Sequence, residues 1–223
     1  LSALGDGWDL NYFMKLVPSG SDYLYHAGNG RVEKFRLVGS EYISYQLPYK
    51  LVTSPLSLKT PSGTVFSFDA ANGGRLTAIT DRNGNAITCG YTGSLLTSIT
   101  DTLGIVTNLI YSGGLLVRVE EVRVFGGGVS QARYVSMDHT GSQLRSISMP
   151  LVPSSVEPAT RFLYTGADLT SITNRNGQTW LENTYDAQRR VVRQVCGAGA
   201  YNFAYTTVGV MKDDNQLAVL HTT

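Results

Sequence analysis

The chain has 223 residues with 18 basic and 17 acidic side chains, and a formal charge of +1 leaves no basic stripe of the kind that nucleic-acid binders carry. Charged residues are 16% of the chain, against about a quarter in an ordinary globular protein, while Gly reaches 24 and Tyr 13, a balance that points to an all-β protein of many short strands. Two distant cysteines, Cys89 and Cys196, are too few for a disulfide framework and are read as free and buried.

In chain order, Trp8–Val17 alternates, with Trp8, Leu10, Tyr12, Met14 and Leu16 on one face, and reads as a half-buried strand. Pro18-Ser19-Gly20-Ser21 is a turn, Asp22–His26 a second strand, Gly28-Asn29-Gly30 a turn, Arg31–Val38 a third strand, Gly39-Ser40 a turn and Glu41–Tyr45 a fourth. Leu47–Thr60 holds Pro48 and Pro55, which remove ladder donors, so the spacing predicts an edge strand or a connecting loop. Pro61-Ser62-Gly63 then turns into a strand over Thr64–Asp69 carrying Phe66 and Phe68.

The next stretch repeats itself. Leu76 and Leu96, Ile79 and Ile99, Asp81 and Asp101, Gly84 and Gly104, and Tyr91 and Tyr111 each stand 20 apart, and so short a period signals stacked supersecondary units. In each unit the strand ending on Tyr91 or Tyr111 alternates cleanly. The strand before it spaces its apolar residues three apart, which predicts a short strand with a β-bulge or one buried on both faces, because about five residues are too few for a stable helix. Asp81-Arg82-Asn83-Gly84 and Asn174-Arg175-Asn176-Gly177 supply hairpin turns, with Gly free to take the left-handed conformation. Leu115–Val124, Arg133–Asp138 and Leu144–Met149 are further strands; Gly126-Gly127-Gly128 and Pro150–Pro158 are loops. The pattern resumes at Phe162 and runs through Leu169, Ile172, Asn174, Gly177, Tyr185 and Asp186, with Val192 and Val195 opening another unit, Tyr201–Val210 a further strand region and Asp213-Asp214-Asn215 a turn.

No catalytic constellation stands out. His26, His139 and His221 are scattered without the spacing of a zinc site. Asp81, Asn83 and Asn85 have a calcium-loop spacing but lack its sixth-position Gly and distal Glu, and turn chemistry accounts for them. Gly126–Gly128 is no phosphate loop, and no Gly-x-Ser-x-Gly nucleophile motif occurs. Asp69, Asp81, Asp101 and Asp186 are better explained as turn positions than as paired acids of a glycosidase. No apolar run approaches the about 20 residues of a membrane span, and no signal peptide is visible. The chain begins at Leu1 and is read as a piece of something longer.

These residues resemble the Rhs/YD-repeat family. Phe68-Asp69, Gly74-Arg75-Leu76, Ile79, Asp81, Gly84-Asn85 and Tyr91 follow that family's repeat, and Tyr185-Asp186 gives its tyrosine–aspartate pair literally. Trp8 with Asn11-Tyr12, and Gly30-Arg31 followed by Phe35, are similar to the run that precedes the first repeats. Gly90-Tyr91-Thr92 and Ile110-Tyr111-Ser112 depart from the pattern in lacking the Asp, Leu95 and Leu115 stand where it has Arg, and the family's self-cleaving aspartate motif has no counterpart.

The resemblance implies an array of antiparallel β-hairpins forming a curved, spiralling sheet, part of a β-shell or solenoid. Its leader would cover residues 1–63 and its repeats 64–223, with inserted loops near 126–130 and 150–158. It implies a structural, non-catalytic role in a larger shell or surface protein that encloses or presents a C-terminal domain. That shell would be secreted or at a cell surface, of bacterial origin, with the rest of the same polypeptide as partner and no cofactor, metal, nucleic acid or membrane span. The alternative is an extracellular module that forms fibres through its strand edges or recognises carbohydrate or protein.

Overall fold

The computed structural model describes residues 2–124, 130–149, 159–206 and 209–213. Among them are twenty strands, two short 3-10 helices and no α-helix, and the strand pairs are antiparallel, so the fold is an all-β hairpin array. It forms two compact units, Leu1–Val135 and Ser136–Thr223.

In the first unit, β1 (Lys15–Ser19), β2 (Asp22–His26), β3 (Val32–Val38) and β4 (Glu41–Ile43) make one meander. A second runs through β5 (Lys50–Thr53), β6 (Leu56–Lys59), β7 (Val65–Asp69), β8 (Arg75–Thr80), β9 (Ala86–Thr92), β10 (Leu95–Thr100), β11 (Val106–Ser112) and β12 (Leu115–Val124), each strand beside the next. The two meet where β1 touches β8. Leu16 N donates to Gly74 O at 2.8 Å, and Leu76 N donates to Met14 O at 3.1 Å. Side chains of both meanders close one core, with Leu16, Tyr25 and Phe35 facing Leu51, Leu56, Leu58, Phe68 and Leu76. Farther along, Leu96, Leu109 and Leu116 are buried, and Leu116 N donates to Ala3 O at 2.6 Å, so the N-terminal segment lies on these strands.

The second unit continues the same construction. The residues of β13 (Ser130–Thr140) from Ser136 onward pair with β14 (Gln143–Ser148), followed by β15 (Ala159–Thr165), β16 (Asp168–Thr173), β17 (Thr179–Tyr185), β18 (Val191–Cys196), β19 (Gly199–Thr206) and β20 (Gly209–Asp213). Leu144, Ala159, Phe162 and Ile172 are buried there. The expected loops at Gly126–Gly128 and Pro150–Pro158, Asp214-Asn215 of the last turn, and His221 lie outside the described residues.

Several sequence expectations need correction. Trp8–Val17 is not one strand: Asn11–Phe13 is a 3-10 helix and only Lys15–Ser19 is extended. The reason is local bonding. Asp9 accepts from Leu10 N and Gly30 N, Phe13 N donates to Leu10 O, and these bonds replace a ladder. Gly28 is required beside this segment, because a Cβ there would stand 2.5 Å from Leu10 O. Pro18 and Ser19 close β1 and do not belong to its turn, and the fourth strand stops at Ile43.

Leu47–Thr60 is a full hairpin. Ser54-Pro55, joined by a cis peptide bond, occupies the two-residue loop between Thr53 and Leu56, and Pro48 precedes β5, so neither proline costs a ladder bond. Its β6 lies between β5 and β7 and sends Leu56 and Leu58 into the core.

Candidate functional site

The repeated unit is built from three devices. The first is a wide turn. Asp81 Oδ1 accepts from Asn83 N at 2.8 Å and Asn85 N at 2.9 Å, while Asp81 N donates to Asn85 O at 2.9 Å and Gly84 N donates to Asp81 O at 3.2 Å. Asp101 does the same with Leu103, Ile105 and Gly104, Asn174 with Asn176, Gln178 and Gly177, and Asp186 with Gln188, Arg190 and Arg189. The fourth residue has positive φ each time: Gly84 89°, Gly104 80°, Gly177 78° and Arg189 61°. Arg189 therefore occupies a slot that glycine fills elsewhere.

The second device is a β-bulge, and it explains the three-residue apolar spacing. On β8 the register jumps from Leu76 opposite Phe68 to Ala78 opposite Ser67, leaving Thr77 extra, so Leu76 and Ile79 share a face. The same jump falls beside Leu96, Leu116, Leu144, Leu169 and Val191.

The third device is a tyrosine clamp. Tyr91 Oη donates to Leu76 O, Tyr111 to Leu96 O, Tyr185 to Leu169 O and Tyr205 to Val191 O, all at 2.7 Å. Each acceptor is the residue just before a bulge, where the ladder is interrupted and the carbonyl needs a donor. Burial pushes Tyr111 up to about 12 and raises Tyr91 and Tyr185 as well.

The signature residues thus come together as structure. Phe68, Leu76, Leu96 and Ile172 are buried, while Ile79, Ile99 and Leu169 are half-buried beside them. Asp69 makes no wide turn; it caps the 3-10 helix Ala70–Asn72 by accepting from Ala71 N, and it also receives Asn72 and Arg75. In the leader, Trp8 is half-buried, Asn11 and Tyr12 lie in the 3-10 helix, Gly30 N bonds Asp9, and Arg31 pairs with Glu33 and donates to Gln46 at 3.0 Å.

Sequence reasoning missed two features. The first is the kind of turn at Pro61-Ser62-Gly63: the turn expected there is a further wide one, running from Thr60 to Thr64, with the Thr60 hydroxyl accepting from Thr64 N at 3.0 Å. Its signal was the Gly three residues on, masked by a Thr where the others have Asx. Arginines also stack over tyrosine rings: Arg75 over Tyr91 at 4.2 Å, Arg118 over Tyr134 at 3.9 Å, Arg145 over Tyr164 at 5.2 Å and Arg190 over Tyr205 at 4.4 Å. Only the Gly-Arg-Leu run at Gly74 signalled them.

The carboxylates are occupied by these turns. A side-chain bond from Asn85, joined by backbone N–H groups of the turn, holds Asp81 below the usual carboxylate value, and the Arg190 backbone N–H and guanidinium do so for Asp186. Asp81 uses both oxygens inside its own turn, Oδ2 accepting from Asn85 Nδ2 at 2.8 Å, which fits turn chemistry. Among the described residues no three His, Cys, Asp or Glu gather as metal ligands. Cys89 and Cys196 are free as expected but half-buried and not buried, and desolvation pushes the Cys89 thiol up to about 11.

One cleft of about 500 Å³ opens in the first unit, where the leader meets β8–β11, with Phe13, Lys15, His26, Arg75, Tyr91 and Tyr111 on its walls. Arg75 is committed: its Nη1 donates to Gly93 O at 2.6 Å and its Nη2 reaches Asp69.

No family model matches the chain, and no curated protein matches it. Among solved structures, the crystal structure of TcdB2-TccC3-Cdc42 is similar over 89% of this chain, at 11% identity and a TM-score of 0.38. The aligned region spans 14% of that other chain.

Proposed function

We propose that this chain is a structural, non-catalytic stretch of an Rhs-type YD-repeat wall, part of a larger secreted or cell-surface protein that encloses or presents a further domain. One observation carries the reading. The chemically distinctive residues of the repeat are used structurally: Asx and Gly close the turns, and Tyr bonds the carbonyl of the bulge-flanking Leu on the neighbouring strand. The carboxylates that a hydrolase reading would need, Asp81, Asp101 and Asp186, each bond backbone N–H groups of their own turn. The natural partners of such a strip are more of the same polypeptide or further copies of itself, since a lone hairpin is marginal in water and its edges accept strands.

The test is a structure of the whole polypeptide from which the chain comes. The reading expects the hairpin strip to continue into a wall around another domain. A chain that stands alone and cleaves polysaccharide, with activity lost in Asp81→Asn, would contradict it. Among the described residues no helix is long and apolar enough to cross a membrane.

A further inference from the structure

The cleft of the first unit holds groups that the repeat architecture does not use. Lys15 and His26 sit opposite each other on β1 and β2, line the cleft, and have no side-chain hydrogen-bond or ion-pair partner among the described residues. The cleft's one carboxylate, Asp9, already accepts from Leu10 N at 2.9 Å and Gly30 N at 3.2 Å. Arg75 is already committed to Asp69 and Gly93 O, so the free donors that the cleft offers an anion are the side chains of Lys15 and His26. Phe13, Tyr91 and Tyr111 add aromatic surface among aliphatic wall residues such as Met14, Leu95 and Leu96. Tyr111 is held rigidly by its bond to Leu96 O, Phe13 projects from the 3-10 helix, and Ser94 adds a hydroxyl at the rim. The volume of about 500 Å³ lies inside the usual range for small-ligand sites, about 300–1,000 Å³.

We propose that this cleft binds a carboxylate-bearing sugar, with Lys15 and His26 holding the carboxylate and Phe13 and Tyr111 lying against the apolar face of the ring. Charge-assisted hydrogen bonds from two adjacent donors give the anion its orientation, and rigid aromatic surface accepts a pyranose without needing a deep pocket. The site does not depend on the wall reading, since a wall segment and a free module could both carry it.

The test is calorimetric titration of the whole chain with glucuronate, glucose and acetate. The site predicts heat with glucuronate, at least about tenfold weaker binding of glucose and of acetate, and about tenfold weaker glucuronate binding by Lys15→Gln and by His26→Gln. Lys59→Gln, at the exposed end of β6, should bind glucuronate as the parent does. Equal binding of glucose would remove the carboxylate contact, equal binding of acetate the sugar contact. No glucuronate heat, or unaltered binding by both variants while their β-sheet circular dichroism is retained, would overturn the site altogether. None of these outcomes bears on whether the hairpins form a wall.

Discussion

Tyr111 and Asp81 show how the repeat spends its polar side chains. The Tyr111 hydroxyl supplies a donor to the carbonyl of Leu96, a residue only 2% exposed, at the point where the bulge interrupts the ladder. Tyr111→Phe keeps the ring and leaves that carbonyl short of a donor, so it should cost about 1–3 kcal/mol by urea denaturation. Tyr45→Phe, at a residue 81% exposed, should cost nothing measurable.

Asp81 gives a pH signature at the same scale. Its carboxyl, like that of Asp186, is held below the usual value of about 3.9, so the unfolded chain takes up the proton first as pH falls. The stability these carboxylates lend is complete above about pH 4 and is lost as pH drops through their lowered values. Asn174 makes the same turn as an amide, so Asp81→Asn should keep the fold and flatten the acid limb of a stability–pH curve. The tyrosines act in the opposite direction. Tyr25 and Tyr111 are pushed up to about 12 by burial, so their contribution is complete below about pH 10 and lost as pH rises toward 12. Urea midpoints across both pH ranges check these two limbs.

At the scale of elements, glycine does two different jobs. Gly84 closes a wide turn at φ 89°, and a Cβ there would meet nothing within 4 Å, so Gly84→Ala carries only the backbone penalty of about 1–2 kcal/mol. Gly74 has φ 66°, and a Cβ there would stand 2.0 Å from Leu16 O, at the joint between β1 and β8. Gly74→Ala must part the two meanders, and its urea midpoint should fall at least about twice as far as that of Gly84→Ala. Turns and tyrosine-ended strands were legible because Asx-x-x-Gly and alternation are local signals, as at Asp81–Gly84 and Ile87–Tyr91. The bulge was legible from the same kind of signal, the odd spacing of Leu76 and Ile79.

What escaped the sequence was tertiary. Trp8–Tyr12 alternates like a strand, yet its backbone bonds are local, Trp8 N to Gly5 O and Leu10 N to the Asp9 carboxylate, and that carboxylate also accepts from Gly30 N. Leu56 and Leu58 sit among prolines that only the three-dimensional hairpin shows to be harmless. The cleft was illegible for the same reason, since Lys15, His26 and Tyr111 come from segments far apart in the chain.

For the molecule as a whole, the account makes the chain a series of similar hairpins whose apolar faces are closed by adjacency. Stability in such a series is close to a sum of unit and neighbour terms, so whole units can be removed while partial ones cannot. The register supplies the cut. Tyr91 and Tyr111 end equivalent strands, and each is followed by a two-residue turn, Gly93-Ser94 in one and Gly113-Gly114 in the other. Deleting residues 92–111 joins Tyr91 to Ser112 and removes one full period, whereas deleting residues 92–101 removes half of one and puts the next strand out of register.

The most direct test of the serial construction is urea unfolding of these two deletion variants beside the parent chain. The account predicts that the full-period variant keeps a cooperative transition at a lower midpoint with the β-sheet spectrum retained, while the half-period variant shows no transition. Loss of folding in both, or survival of both alike, would contradict it.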